Sequence, residues 1–216
     1  MKTNTAPVTD RQHVLRGLAN MIVLTLLLCG ATFCRAEEKD FHDQDLKHKD
    51  FSKAVLNGAN FTDAVLDNAN MANASLKKAV FKDASLNFVS FYMADLSGAD
   101  LSGASGTLVL SYTNLSQANL EGTDTSKLTL SLNAVNLRGA NLKKCIIAPV
   151  GYDCDLSGAD LRGANLRGGA ISPTAKLKKA IYDDDTAFPD GFDPVAAGCV
   201  KAEAGEKKAA SSETKK

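Results

Sequence analysis

From Phe41 to Leu101 a large apolar residue stands at every fifth position without a miss: Phe41, Leu46, Phe51, Leu56, Phe61, Leu66, Met71, Leu76, Phe81, Leu86, Phe91, Leu96 and Leu101. No other feature of the chain restricts its fold as tightly, because periods of this kind decide architecture before local propensity does. On an α-helix, at about 100° per residue, five residues advance about 140° and would scatter the apolar residues over every face. On a straight strand an odd step alternates between the two faces. Only a chain that takes a short extended step and then turns, repeatedly, keeps every fifth side chain inward. The period predicts a solenoid.

Each place in the unit then has a task. The central Leu or Phe fills the axis, worth roughly 1.5–3 kcal/mol when buried. Ala stands two residues before most centres, as at Ala54, Ala59, Ala64, Ala69, Ala74, Ala79, Ala84, Ala94 and Ala99, where only a small inward side chain fits. Asp or Asn between the two, as in Ala59-Asn60-Phe61, can hydrogen-bond backbone at the turn. Gly58, Gly98 and Gly103 suit the corners. Ordering the backbone costs about 1–2 kcal/mol per residue, so one turn cannot stand alone and neighbours must stack.

The units Ala99-Asp100-Leu101, Ala118-Asn119-Leu120, Ala140-Asn141-Leu142, Ala159-Asp160-Leu161 and Ala164-Asn165-Leu166 resemble those of the pentapeptide-repeat family. That resemblance implies an all-β fold, a right-handed quadrilateral β-helix with one pentapeptide per side. Twenty residues per coil would stack Phe41, Phe61 and Phe81 in one column and Phe51, Met71 and Phe91 in another. Some six coils at about 4.8 Å each would give a column of roughly 30 Å.

The organisation expected along the chain is a signal peptide over 1–36, the repeat over 37–176, a capping segment over 177–200 and a disordered tail over 201–216. Lys2, Arg11 and Arg16 supply a basic region, Met21 to Cys29 an apolar one, and Cys34-Arg35-Ala36 a cleavage site before Glu37. The alternative is an uncleaved membrane anchor, although the apolar stretch falls short of the roughly 20 residues of a spanning helix. Removing Lys2, Arg11, Arg16 and Arg35 leaves 21 basic residues, and removing Asp10 leaves 24 acidic ones, a net charge of −3. Such a balance gives no nucleic-acid-binding footprint.

Past Leu101 the phase breaks near 105, 133 and 149. Leu110, Leu115 and Leu120 resume one place early, Thr125 and Leu130 continue imperfectly, and Leu137 and Leu142 follow a second slip. Pro149 and Gly151 predict a local loop at the third, after which Leu156, Leu161, Leu166 and Ile171 restore the pattern. Loops on a rigid scaffold often carry function, so these breaks are candidate docking places. In the capping segment Phe188 and Phe192 are expected to cover the apolar end and protect it from edge pairing. The tail from Lys201 lacks apolar centres.

Cys145, Cys154 and Cys199 remain after removal of the leader, and in an exported protein a disulfide is expected. Cys145 with Cys154 stands first, since both hold the inward Ala-type place and bracket the irregular stretch. Two pentapeptide steps would set them on opposite sides, however, and some lumenal members of the resembled family tie their C-terminal cap, which makes Cys199 an alternative partner for Cys154. His42 and His48 lie among Asp40, Asp43, Asp45 and Asp50 without zinc-motif spacing, and Asp183, Asp184, Asp185, Asp190 and Asp193 lack calcium-loop spacing. No catalytic residues, cofactor or metal are assigned. The function expected is an exported, non-catalytic scaffold or protein-binding module with an unidentified protein partner, monomeric, and in a periplasm, the extracellular space or a thylakoid lumen. The alternative implied by gyrase-binding family members is a DNA-mimicking inhibitor of type II topoisomerase.

Overall fold

The chain divides into two units, Met1–Lys39 and Asp40–Lys216, and the computed structural model describes residues 39–123, 133–147 and 150–203. The leader-type segment, Thr125, Leu130 and the tail after 203 lie outside the described residues.

The second unit is a right-handed quadrilateral β-helix built almost wholly from single parallel bridges. Asp40 pairs with Asn60, Asp45 with Val65, Asp50 with Asn70 and Val55 with Ser75, so one coil takes twenty residues and four sides. The first side runs through Asp40, Asn60, Val80, Asp100, Asn119, Asn141, Asp160, Ile181 and Val200, the second starts at Asp45, the third at Asp50 and the fourth at Val55. Four places lengthen into two-residue strands: β1 (Val89–Ser90), β2 (Leu108–Val109), β3 (Ile181–Tyr182) and β4 (Val200–Lys201), with β1 parallel to β2 and β3 parallel to β4. The nine rungs of the first side make a ladder about 38 Å long, longer than the six coils expected, because Ile181 and Val200 add rungs within the segment read as a cap.

Sides meet at turns of type II geometry. The Ala54 N–H donates to the Phe51 carbonyl at 3.0 Å, and Lys53 between them has φ 62°, the left-handed residue such a turn requires. The same place is left-handed at Gly58, Asp63, Asn68, Met93, Gly98 and Tyr112. The Asx residue then ties the turn: Asn60 Oδ1 accepts from Thr62 N–H at 3.1 Å, and Asp100 Oδ1 from Ser102 N–H at 3.0 Å.

Inside, all the repeat centres from Phe41 to Leu101, together with Leu110, Leu115, Leu120, Leu137, Leu142, Leu156, Leu161 and Leu166, are buried. Phe41, Phe61 and Phe81 stack with centroids 4.8 Å apart and planes at 6°. Phe51 meets Phe41 and Phe61 edge-on. Larger or polar residues in the Ala place adapt to it: the buried Thr113 hydroxyl donates to the Phe91 carbonyl at 2.7 Å.

The phase breaks are changes in side length. Ser85 pairs with Ser105 but Val89 with Leu108, so three steps match four on the coil before. Gly106 makes this shortcut possible at φ 127°, with a would-be Cβ only 2.5 Å from Asn87 N and Leu86 C. The second break adds residues, for the first-side partners advance by 22 from Asn119 to Asn141; the addition falls within 124–132, outside the described residues. At the third break Ile146 pairs with Asn165 and Val150 with Ile171, so this side is one residue short; positions 148 and 149, where the loop is expected, lie outside the described residues. Ile171 therefore takes the bridge place rather than a centre and is half-buried. The extra residue that displaces it comes where Gly168 and Gly169 stand together.

At the C-terminal end Phe188 stacks on Phe192 at 5.2 Å and meets Tyr182 edge-on at 5.6 Å. Asp193 Oδ1 accepts from Val195 and Ala196 N–H at 2.9 and 3.1 Å, and Asp183 Oδ1 from Gly163 N–H at 2.9 Å. Two of the five aspartates thus hold turns.

Candidate docking surface

The corner between the third and fourth sides differs from the others. Successive turns stack there through Met93 N–H to Ser111 C=O at 3.2 Å, Tyr112 N–H to Asn133 C=O at 3.0 Å and Ala134 N–H to Tyr152 C=O at 2.8 Å. This geometry lines up Tyr92 and Met93, Tyr112, and Tyr152 along the coil axis. Tyr112 and Tyr152 are 54% and 66% exposed, Met93 51%. Tyr92 meets Tyr112 edge-on at 5.8 Å. Val109 on the third side and Phe88 at that side's other corner, 64% exposed, extend the patch. Of nine exposed large apolar residues among the described residues, six lie here, which makes the surface one-sided rather than the ordinary scatter of surface hydrophobes.

Charge separates this corner further. Between Lys53 and Asp153 it carries Ala72, Asn73, Tyr92, Met93, Ser111, Tyr112, Asn133, Ala134 and Tyr152 and no formal charge. The corner between the first and second sides, by contrast, carries Asp63, Lys82, Asp83, Glu121, Lys143, Lys144 and Arg162. Phe88, Met93 and Tyr112 have φ of 58°, 57° and 61°, a conformation that costs a non-glycine residue roughly 1–2 kcal/mol, and each stays more than half exposed. The patch escaped the period-five reading because that reading followed inward places. Its signal was present all the same: Phe88, Met93 and Tyr112 in the turn position that mostly holds Gly, Asn, Asp or Lys.

The cysteines do not form the expected disulfide. Cys145, Cys154 and Cys199 are free and buried. Each fills an inward Ala-type place, but at three different corners: Cys145 follows the first side, Cys154 the third, and Cys199, whose Sγ donates to the Leu177 carbonyl at 3.7 Å, the fourth. Cys145 Sγ donates to the Leu120 carbonyl at 2.7 Å. Burial pushes all three thiols up in pKa, which suppresses the reactive thiolate. These are packing residues.

The repeat's carboxylates are occupied structurally. Burial would raise Asp160, yet hydrogen bonds from Arg162 and the charge of Lys143 hold it below the usual carboxylate range. Asp95, paired with Lys77 at 3.3 Å, and Asp155, paired with Arg138 at 3.2 Å, are likewise lowered against burial. His42 and His48 are exposed on the first coil, with His42 Nδ1 3.0 Å from the Thr62 carbonyl. Among the described residues no three His, Cys, Asp or Glu gather as metal ligands, and no helix is long and apolar enough to cross a membrane.

The model for pentapeptide repeats matches eight copies in this chain, over residues 40–71, 64–103 and 152–168. A pentapeptide repeat protein from the Arabidopsis thaliana thylakoid lumen is 33% identical, the match covering 54% of this chain and 75% of that one with a TM-score of 0.33. The chain belongs to the pentapeptide-repeat family. A second family protein, from Nostoc PCC 7120, is 36% identical over 59% of this chain and 84% of its own, with a TM-score of 0.23. A trypsin-treated variant of QnrB1, a plasmid-mediated fluoroquinolone resistance protein, is 19% identical over 76% of this chain and 86% of its own, with a TM-score of 0.32. No curated protein matches the chain. Proteins of this family are in general structural or binding proteins rather than enzymes.

Proposed function

We propose that this pentapeptide-repeat protein is an exported, non-catalytic protein-binding module that holds a partner on a rigid β-helical column. The observation that carries the reading is the uncharged apolar corner of Tyr92, Met93, Tyr112 and Tyr152, set on a framework whose backbone groups are already paired. Aromatic residues and Met are typical interface anchors. Export is supported by the basic and apolar leader and the Cys34-Arg35-Ala36 site. The DNA-mimic alternative calls for a continuous run of negative charge. Here the alternation of Lys77 with Asp95, Arg138 with Asp155 and Lys143 with Asp160 supports it poorly.

The test uses the full-length chain, tagged at its C-terminus, in its native host. The expected product starts at Glu37 by intact mass, lies in the soluble exported fraction, and retains a crosslinkable protein partner. Met93→Asp with Tyr112→Asp is expected to cut partner recovery at least tenfold while Lys78→Asp, at a neighbouring corner, leaves it unchanged. Equal recovery from all three chains would overturn the assignment of this corner. An uncleaved cytoplasmic chain that inhibits gyrase supercoiling would replace the whole reading by the alternative.

A further inference from the structure

Resting on that protein-binding reading, we infer that the partner presents an amphipathic α-helix, laid along the coil axis against the corner of Tyr92, Met93, Tyr112 and Tyr152. Three properties of the surface select this occupant. First, the described backbone along its rungs is already paired. Ser90 N–H donates to Ala69 C=O at 3.1 Å, Phe91 N–H to Val109 C=O at 2.8 Å and Met93 N–H to Ser111 C=O at 3.2 Å. A partner segment therefore meets side chains alone and must satisfy its own backbone, which a helix does internally.

Second, the patch is elongated along the axis. Tyr92 and Tyr152 lie three coils apart through the stacked turns at Ser111 and Asn133, about 14 Å at about 4.8 Å per coil. That span corresponds to between two and three turns of a helix of about 5.4 Å pitch. The two repeats differ by about 0.6 Å per step, so the registers stay within about 2 Å across the patch. One apolar residue per helical turn can then meet one coil. Third, the corner is uncharged from Ala72 to Tyr152 and meets a charge only at Asp153 at its end, so along its length it matches an uncharged apolar stripe. The rings of Tyr92 and Tyr112 are inclined at 81°, which forms ridges and a notch rather than the flat platform that a sugar ring would stack upon.

The experiment places the photoreactive residue p-benzoylphenylalanine at Tyr112, at Tyr152 and, as a control, at Gln117, an exposed left-handed turn residue of the next corner. Both test sites keep an aromatic ring, and the full-length chain is used in its native host, with crosslinked peptides mapped by mass spectrometry. Tyr112 and Tyr152 are two coils apart, about 10 Å. On a helix rising about 1.5 Å per residue, their crosslinks are expected about six or seven residues apart in one partner segment, with at least tenfold less crosslinking from Gln117. Crosslinks about three residues apart would indicate an extended segment and overturn the helix while leaving the protein-binding reading intact. Crosslinking at Gln117 as strong as at Tyr112 would overturn the docking corner. A chain that crosslinks to no protein from any of the three positions would overturn both readings together.

Discussion

At the residue scale the left-handed turn position divides the chain into places that tolerate a side chain and one that does not. Lys53, Asp63, Asn68 and Phe88 all hold positive φ, so the coil accepts the steric cost of a Cβ there many times over. Gly58 has φ 70° with open space around its would-be Cβ, and Gly58→Ala is expected to cost about 1 kcal/mol. Gly106 is different in kind. Its φ of 127° lies outside the turn's ordinary range, and its Cβ would meet the Leu86–Asn87 peptide at 2.5 Å, so Gly106→Ala is expected to cost roughly 3 kcal/mol or more. Urea unfolding of the two variants checks the contrast. Equal losses would show that the shortened side relaxes around a methyl group. The period revealed where the phase slipped, but the role of Gly106 depends on which peptide crosses beneath it, twenty residues earlier.

At the scale of the element the outward Asx residues form ladders with a direction. Asn60 Nδ2 donates to Asp40 Oδ1 at 3.0 Å, Asn70 to Asp50 at 3.1 Å, and Asn114 to Asp95 at 3.0 Å, each amide reaching back to the coil before. Where Asn follows Asn the chain of bonds continues: Asn119 Nδ2 donates to Asp100 Oδ1 at 3.0 Å, and its Oδ1 accepts from Asn141 Nδ2 at 2.9 Å and Glu121 N–H at 3.2 Å. An ionised Asp accepts only, so it suits the first rung and not a later one directly above another Asp. Asn119→Ala removes three such bonds and is expected to cost about 2–3 kcal/mol at roughly 0.5–1.5 kcal/mol each. Asn119→Asp is expected to cost more at pH 7, because the introduced carboxylate faces Asp100 with no proton to donate. That repulsion raises the folded-state pKa of the pair, so the excess penalty holds at neutral pH and shrinks as pH falls and a proton is taken up. Denaturant melts of both variants at pH 7 and pH 4 decide it; an Asn119→Asp chain no weaker than Asn119→Ala at pH 7 would refute the ladder argument. The alternation of Asp and Asn was legible as turn chemistry, whereas the polarity of the ladder required knowing which rung lies above which.

At the scale of the whole β-helix, many lowered carboxylates act together. For Asp50 the main influence is the Ser52 backbone N–H. For Asp67, Asp95, Asp155, Asp160 and Asp183 burial pushes upward most strongly and is outweighed by hydrogen bonds and neighbouring cations. Each folded pKa lies below the unfolded value of about 3.9, so the stabilisation is fully present above that value and is lost as pH falls through the folded ones. Thermal melts are expected to be flat from pH 7 to about 5 and to fall progressively below about pH 4. A melting temperature unchanged down to pH 2 would show that the ladders hold without their charges.

The sequence by itself determined the solenoid, its inward residues and its family, because a five-residue period admits one kind of backbone and repeats it often enough to leave no competing register. It also located the slips at 105 and 149, since a lost phase is visible wherever the centres are regular on both sides. Tertiary structure decided what depends on the column in which a residue falls. Cys145, Cys154 and Cys199 share an inward place yet stand at three corners, and Ile171 misses the core by one residue. Tyr92, Tyr112 and Tyr152 are separated by twenty and forty residues in the chain but become neighbours along one uncharged corner. Coils of 19 to 22 residues shift every later residue relative to those beneath it, so no count along the chain fixes which side chains meet until the hydrogen-bonded rungs are known.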